Sequence, residues 1–394
     1  MISKKVEEKM KAASWIRAMF EEGNRLKKIH GEENVFDFTL GNPITPPPEC
    51  IKDVLTNLSQ TADPSIHKYM NNAGFEDVRL AIAQKLNSDT NLSLNQKHVI
   101  MTVGAAGALN VILKTILNEG EEVLVLAPYF VEYLFYIDNH GGVPVIVKTK
   151  PGTFQLDLEK IEQNITKNTR AIIINSPNNP SGAMYSEDSL KELSNILEKK
   201  SKENQSLIYI ISDEPYRELV YDGQKAPNML NIFNNLLVTY SYSKSLSLAG
   251  ERIGYIAVKT DPEIEDKLIA GLTFANRTLG FVNAPSLFQK VIKELLNETV
   301  DVSAYQKRRD FLAENLKNLG YNFSKSAGTF FFFIESLYRD DIEFVKKAAE
   351  YRILLVPGTG FGYPGYCRLS YSVNMETIEN SIGQFEKLMK ESGK

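Results

Sequence analysis

Short apolar runs alternate with amphipathic segments along most of the 394-residue chain. The apolar runs cover 99–103, 123–126, 143–148, 170–174, 207–211 and 236–240. Segments with helical spacing, such as 187–203, follow most of these runs. Strands that alternate with helices are typical of a mostly parallel, doubly wound sheet. The pattern therefore predicts an α/β fold whose functional residues collect at the carboxyl ends of the strands.

The two ends of the chain predict a second, smaller α+β domain. A helical pattern covers 4–29, an alternating run at 35–40 predicts a strand, and the proline-rich run at 44–48 is a connector. Helical patterns over 285–318 precede a strand at 330–334, a helix at 341–350 and a strand at 368–373. We expect three parts: an N-terminal arm at 1–48 that joins the small domain, a large domain at 49–288, and the rest of the small domain at 289–394.

Composition and charge exclude several kinds of protein. The chain is 43% hydrophobic and 24% charged, which is ordinary for a globular protein. With 45 basic and 49 acidic residues, its net charge of −4 predicts no nucleic-acid partner. No apolar run approaches the ~20 residues that a membrane helix needs, and no signal-peptide core is present, so we expect a cytoplasmic protein without membrane contact. Cys50, Cys367 and four scattered histidines lack metal-ligand spacing, so no metal site is predicted.

A serine-rich stretch at 241–254 carries the most specific chemistry. Lys244 comes just after an apolar run, where burial would lower its pKa and leave the nucleophilic neutral amine. The hydroxyls of Ser241 and Ser243 and the guanidinium of Arg252 suit a phosphate dianion. A Schiff-base lysine beside a phosphate cup is the arrangement that pyridoxal 5′-phosphate (PLP) requires. Taken alone, a serine-rich loop with an incidental lysine and arginine explains the stretch equally well.

Other predicted strand ends carry polar residues with matching chemistry. Asp213 can pair with the protonated pyridine nitrogen of PLP, although aspartate is also a common helix cap. Tyr216 and Asn179 can each donate to the phenolic oxygen of the cofactor, although Asn-Pro is also a turn signal. The small-residue turn at 104–107 opens a helix whose first amides can hold a phosphate, although many helices begin at small residues.

Two further side chains complete the set of candidates. Tyr129 is a candidate for stacking on the cofactor ring, and a core aromatic is the alternative. Arg368 is a candidate for a bidentate bond to a substrate carboxylate, and a surface ion pair is the alternative.

Taken in chain order, these motifs resemble those of the class I and II aminotransferases, a family of fold-type I PLP-dependent enzymes that includes aspartate aminotransferase. The resemblance runs from Gly41 to Arg368. Its most specific motif is Ser-x-Ser-Lys followed by Gly-x-Arg-x-Gly at 241–254, supported by Asn-Pro-Ser-Gly at 179–182 and Asp-x-x-Tyr at 213–216. It implies the large PLP-binding domain and the small domain of that family.

The resemblance also implies a role for each candidate residue. Catalysis falls on Lys244, which forms the aldimine, with Asp213 and Tyr216. The residues implied to contact the cofactor are Lys244, Ala105, Ala106, Tyr129, Asn179, Asp213, Tyr216, Ser241, Ser243 and Arg252. The residues implied to contact the substrate are Gly41, Asn179 and Arg368. Tyr69 resembles the tyrosine that reaches the phosphate of the neighbouring subunit, which implies a homodimer. Many relatives have a hydroxyl or a lysine where this chain has Ala105 and Ala106, so its phosphate should depend more on backbone amides.

The implied activity is an aminotransferase that moves an amino group from an L-amino acid to a 2-oxo acid, with 2-oxoglutarate expected as acceptor, by a ping-pong mechanism. A carbon–sulfur β-lyase on the same scaffold is the alternative, because a fold does not determine a reaction. A non-catalytic PLP-binding regulator would carry an added DNA-binding domain, and the residues before 35 are too few for one.

The substrate range depends on what meets the side chain of the amino acid. Family frequency favours aspartate as the leading donor of a fairly broad enzyme. Arg277 is a candidate for the distal carboxylate, and an ordinary surface arginine is the alternative. Trp15, Ile16 and Phe20 are candidates for a lid over an apolar side chain, and core packing explains them equally well.

Overall fold

The computed structural model describes residues 2–12, 14–61 and 63–393, and the side chains of 11–20 lie outside that description. The helices are α1 (Lys4–Ala12), α2 (Ser14–His30), α3 (Cys50–Thr61), α4 (Glu76–Ser88), α5 (Gly104–Ile116), α6 (Glu132–Asn139), α7 (Leu158–Gln163), α8 (Glu187–Asn204), α9 (Met229–Ile232), α10 (Tyr242–Ser245), α11 (Pro262–Thr278), α12 (Ser286–Glu294), α13 (Val302–Asn318), α14 (Asp341–Glu350) and α15 (Met375–Ser392). The strands are β1 (Phe36–Asp37), β2 (Val99–Thr102), β3 (Glu122–Ala127), β4 (Val143–Lys148), β5 (Thr169–Asn175), β6 (Tyr209–Asp213), β7 (Leu236–Ser241), β8 (Gly254–Lys259), β9 (Phe331–Glu335), β10 (Ile353–Leu354), β11 (Val356–Pro357) and β12 (Tyr366–Ser370).

A seven-stranded sheet organises the larger part of the described chain. Its spatial order is β2-β8-β7-β6-β5-β3-β4. Strand β8 runs antiparallel to both of its neighbours, and every other adjacent pair is parallel. The prediction of a mostly parallel sheet is therefore confirmed. Strands β5, β6 and β7 all run the same way, so their last residues meet at one edge of the sheet.

Helices cover both faces of this sheet. Along β5, Ile172 and Ile174 belong to one apolar cluster and Ala171 and Ile173 to another, as the two-residue period of a strand requires. The first cluster includes residues of α4, α8 and α12, and the second includes residues of α5, α6 and α11. Burial on both faces explains why the strands read as continuous apolar runs.

A third apolar cluster joins the two ends of the chain. Strands β9, β11 and β12 form an antiparallel sheet, and β1 pairs in parallel with β10. Phe38 from the N-terminal part belongs to this cluster together with Phe332, Phe344 of α14 and Phe385 of α15, and its ring centroid lies 5.8 Å from that of Phe385. The smaller α+β unit is thus built from both ends. The domain boundaries at 48/49 and 288/289 stay a prediction.

Three predicted strands differ from the structure by two or more residues at an end, and the one expected at 368–373 is Tyr366–Ser370. The strand expected at 35–40 is only Phe36–Asp37, and the Asp37 carboxylate accepts hydrogen bonds from the Thr39 backbone nitrogen at 3.1 Å and hydroxyl at 2.6 Å just after it. The strand expected at 207–211 is Tyr209–Asp213, so Asp213 is its last residue. No helix in the described part of the chain combines the length and apolar character needed to span a membrane.

Candidate active site

A cavity of about 360 Å³ opens where the carboxyl ends of the parallel strands face the smaller unit. Its wall combines residues that are far apart in the sequence. They are Gly41, Asn42, Ala105, Ala106, Leu109, Phe130, Asn175, Asn179, Asp213, Pro215, Tyr216, Ser241, Ser243, Lys244, Ala249, Arg252, Phe331 and Arg368. Most of the residues predicted to form one site therefore lie around one cavity.

Lys244 lies on the one-turn helix α10, directly after β7. Ser241 begins this turn, since its hydroxyl accepts a hydrogen bond from the Ser243 backbone nitrogen at 3.2 Å. The Lys244 amine donates to the Gly41 carbonyl at 2.6 Å. Burial, reinforced by the charges of Arg368 and Arg252, lowers the pKa of Lys244 to about 8. Lys244 therefore has more of its neutral, nucleophilic form near neutral pH than a solvated lysine has.

Hydroxyl, guanidinium and amide groups form an anion-binding cup beside this lysine. The hydroxyl oxygens of Ser241 and Ser243 lie 2.7 Å apart, and Arg252 Nη1 donates to Ser243 Oγ at 3.3 Å. No side chain of the described residues caps the N-terminus of α5, which leaves the first amides of that helix available. Ala105 lies at this end of α5, directly after Gly104. The φ of Gly104 is +76°, and a Cβ on Gly104 would come within 2.7 Å of Arg252 Nη2. These donors and the helix dipole fit a phosphate group.

Asp213 is a buried carboxylate that lines the cavity. Its Oδ2 accepts a hydrogen bond from the Tyr133 hydroxyl, and its Oδ1 accepts one from the Thr239 hydroxyl at 2.9 Å. Burial raises the pKa of Asp213 to about 6, although both hydrogen bonds act to lower it. None of the described residues forms an ion pair with it, so the site fits a cationic group such as a protonated pyridine nitrogen.

Arg368 extends from β12 into the other side of the cavity. Its Nη1 donates to Asn179 Oδ1 at 3.1 Å and its Nη2 to the Thr39 carbonyl at 2.7 Å. Its Nε is buried and has no hydrogen-bond partner among the described residues. The guanidinium lies 4.6 Å from the ring centroid of Phe331, and burial lowers the pKa of Arg368 to about 10. A desolvated arginine with unused donor capacity is suited to binding a carboxylate.

Two asparagines connect the Arg368 side of the cavity to the Asp213 side. The side-chain amide of Asn175 donates to the Asp213 backbone carbonyl at 2.8 Å, and its oxygen accepts from the Asn179 backbone nitrogen at 2.7 Å. Asn175 is the last residue of β5, so the strand-end argument that selected Asp213 applies to it equally. The sequence analysis nevertheless missed Asn175.

Tyr216 and Gly41 complete the part of the site predicted from sequence. The Tyr216 ring is buried edge-on against Phe330, with centroids 5.4 Å apart, and burial raises the pKa of its hydroxyl. Gly41 has no room for a side chain, because a Cβ there would lie 2.7 Å from Phe331 Cζ. Glycine at this position therefore lets the backbone lie directly against the Phe331 ring.

Tyr129 does not line the cavity, and Phe130 does. Tyr129 packs in the core against Gly362, since a Cβ on Gly362 would lie 2.5 Å from Tyr129 Cε1. The backbone nitrogen of Tyr129 donates to the Phe361 carbonyl at 3.2 Å. The candidate for stacking on a cofactor ring is therefore Phe130 in place of Tyr129. Tyr133, which donates to Asp213, was also missed, because no strand-end or spacing signal marks it.

Tyr69 and Arg277 do not line this cavity, and a third expectation lies outside the described residues. Tyr69 is 94% exposed and does not line the cavity of its own chain. Arg277 is exposed, and its guanidinium lies 5.3 Å from the ring centroid of Phe274. The side chains of Trp15, Ile16 and Phe20 lie outside the described residues, so the lid stays a prediction.

Comparison with known proteins gives matches over most of the chain. The family model for aminotransferase class I and II matches residues 33–385. The "Probable aspartate/prephenate aminotransferase" of Aquifex aeolicus is 34% identical over 379 residues, which cover 91% of this chain and 92% of that one. The crystal structure of an amino transferase from Eubacterium rectale has a TM-score of 0.96 and 42% identity, with 100% of both chains covered. An aspartate aminotransferase from Thermus thermophilus with maleate has a TM-score of 0.83 and 28% identity over 94% of this chain and 95% of that one.

Proposed function

We propose a reaction for this chain from one premise: it belongs to the class I and II aminotransferase family. Members of this family are PLP enzymes and transaminases. The protein transfers an amino group from an L-amino acid to a 2-oxo acid, with PLP as its cofactor and 2-oxoglutarate as the proposed acceptor.

One observation carries the assignment of PLP. A lysine with a lowered pKa, a buried carboxylate that forms no ion pair with the described residues, and an anion-binding cup share one cavity of about 360 Å³. They match the aldehyde, the pyridine nitrogen and the phosphate of PLP in chemical type. Each of the three has an ordinary structural explanation alone, but together they call for one ligand with all three groups.

The proposed roles follow from the chemistry of each group. When bound, PLP supplies an electron sink for the charge that develops at the substrate Cα. Lys244 moves a proton at that carbon as general base and then as general acid, after its amine leaves the Gly41 carbonyl. Asp213 keeps the pyridine nitrogen protonated, and Arg368 binds the substrate α-carboxylate.

The remaining residues hold and orient the cofactor. Asn179 and Tyr216 donate to its phenolic oxygen, and Phe130 packs on its ring. The phosphate is bound by the backbone amides of Ala105 and Ala106 and by the side chains of Ser241, Ser243 and Arg252.

The charge of the cavity bears on the amino donor. Among the described lining residues the cations are Lys244, Arg252 and Arg368, and each has a role already. A second substrate carboxylate would need a further cation, because burying it unpaired is costly. We propose aspartate as the leading donor, in line with the names of the relatives. We also propose a homodimer in which Tyr69, and Arg277 as the distal cation, act across the subunit interface.

Purified protein tests the proposal directly. With PLP it should absorb at about 360–430 nm, and an L-amino acid with 2-oxoglutarate should give glutamate and the matching 2-oxo acid. Lys244→Ala should abolish transamination, whereas Lys225→Ala, a change at an exposed lysine, should not. Release of ammonia and pyruvate from cystathionine without transamination of any amino acid would contradict the proposal and favour a β-lyase.

A further inference from the structure

Hydroxyl groups from two different elements hold the two oxygens of the Asp213 carboxylate. Tyr133 on α6 donates to Oδ2, and Thr239 on β7 donates to Oδ1 at 2.9 Å. All three side chains are buried: Asp213 is 5% exposed, Tyr133 2% and Thr239 0%. Each carboxylate oxygen thus has its own donor, and the two donors lie on different elements. Together they hold the plane of the carboxylate in one orientation.

Within the described part of the chain, these two hydroxyls are the only side-chain groups that donate to this carboxylate. Among the described residues, the titratable groups that interact electrostatically with it are Tyr133 and Tyr136 from α6, and Glu214 and Tyr216 from its own segment. The cations Lys244, Arg252 and Arg368 line the same cavity but form no ion pair with it. Burial raises the pKa of all three tyrosines, so they are neutral near pH 7. Glu214 pairs with Arg217 at 3.4 Å. The two hydroxyls are therefore what counters burial and favours the ionised form of Asp213.

We propose that Tyr133 is a positioning residue for the reaction, whose hydroxyl, with that of Thr239, holds Asp213 as an oriented carboxylate facing the pyridine nitrogen of PLP. The inference rests on the proposed function and extends it to a residue that does not line the cavity. A protonated or rotated carboxyl group would not keep that nitrogen protonated, and the cofactor would be both weakly bound and a poor electron sink.

Tyr133 is also tied to the aromatic wall of the cavity. Its ring lies edge-on to Phe130, with centroids 5.5 Å apart and an interplanar angle of 84°. Phe130 lines the cavity. One side chain thus supports both the carboxylate and the candidate stacking ring. Tyr133→Phe keeps the ring contact and removes only the hydroxyl, so it separates the two roles.

The test compares Tyr133→Phe with two matched variants, Thr239→Val and Tyr136→Phe. Tyr136 lies one turn along α6 and is not hydrogen-bonded to Asp213. The readouts are the dissociation constant of PLP, measured by fluorescence titration between about pH 6 and pH 9, and the pH midpoint of the bound-cofactor absorbance.

At pH 7 the dissociation constant should rise about tenfold or more in Tyr133→Phe, the scale of a lost hydrogen bond to a charged group. It should rise in the same direction in Thr239→Val and stay unchanged in Tyr136→Phe. The rise should shrink as the pH increases, because a higher pH ionises Asp213 without help from the hydroxyl.

The outcomes separate this inference from the proposed function. If the wild-type protein does not bind PLP, the proposed function fails. If the wild type binds PLP and Tyr133→Phe binds it equally well across the pH range, the positioning role is overturned. A loss of affinity that is the same at every pH would show a packing role only, and would also overturn it.

Discussion

The amine of Lys244 gives a direct measure of the electrostatics of the cavity. Its pKa is lowered from 10.5 to about 8, first by burial and then by the charges of Arg368 and Arg252. At pH 7 about one amine in 11 is neutral when the pKa is 8, compared with about one in 3,000 when it is 10.5. Since only the neutral amine attacks a carbonyl, the cavity should raise the reactivity of Lys244 by up to about 300-fold.

Replacing Arg368 by methionine should raise the pKa of Lys244 above 8 without restoring 10.5. The substitution removes the larger of the two charge effects and leaves burial, which is the largest cause, in place. The assay is trace labelling of the cofactor-free protein with 1-fluoro-2,4-dinitrobenzene from about pH 6 to pH 11. Mass spectrometry of the peptide that contains Lys244 then gives the rate at that lysine alone, and the midpoint of the rate profile is its pKa.

Arg339→Met provides the control, because it removes an exposed arginine that does not line the cavity and has no proposed role in the site. This variant should leave the midpoint for Lys244 where the wild type has it. A wild-type midpoint near 10.5 would show that the amine is hydrated like a surface lysine, and the argument from burial would be wrong. Equal midpoints in Arg368→Met and the wild type would show that the charge of Arg368 does not reach the amine.

Asp213 should make the cofactor-free fold more stable at low pH, because its pKa is about 6 in the folded chain and ordinarily 3.8. That contribution, about 3 kcal/mol at 1.36 kcal/mol per pKa unit, is fully present below pH 3.8 and is lost as the pH rises through 6. Asp213→Asn should remove this contribution from the free energy of unfolding, measured by urea titration at several pH values. If the free energy of unfolding depends on pH in the same way in Asp213→Asn and the wild type, the raised pKa is contradicted. Tyr69→Phe should weaken PLP binding by roughly 1.5–3 kcal/mol in a dimer, and a fully active monomer by sedimentation would refute the shared site. Arg277→Ala should lower kcat/KM for aspartate but not for phenylalanine. If the ratio of the two kcat/KM values stays the same as in the wild type, Arg277 is not the distal cation.

The strand-end argument accounts for most of the site that could be predicted from sequence. Lys244, Asp213 and Asn179 were chosen because each follows an apolar run, and in a parallel sheet such positions meet at one edge. The structure brings all three to one cavity. The predicted resemblance to the class I and II aminotransferases is confirmed as well.

The errors arose where local or tertiary contacts decide the outcome. Between β3 and α6 the chain is irregular, so neither the strand nor the helix period predicts that Phe130, and not Tyr129, faces the cavity. The strand that alternation alone predicts at 35–40 ends at Asp37, whose carboxylate accepts a hydrogen bond from the Thr39 backbone nitrogen. Tyr133 reaches Asp213 only because α6 packs on the sheet at one register, and sequence periodicity carries no information on that register.

The polar groups of the cavity have bonding capacity that the described residues leave unused. Arg368 has a buried Nε without a partner, Asp213 has no cation, and the first amides of α5 have no side-chain cap. Burial of the Arg368 and Asp213 side chains reduces the stability of the empty fold, because it removes water without supplying a full replacement. A ligand that provides a carboxylate, a ring cation and a phosphate would supply partners to all three groups in the folded state alone. Such a ligand must therefore raise the free energy of unfolding as its concentration exceeds its dissociation constant.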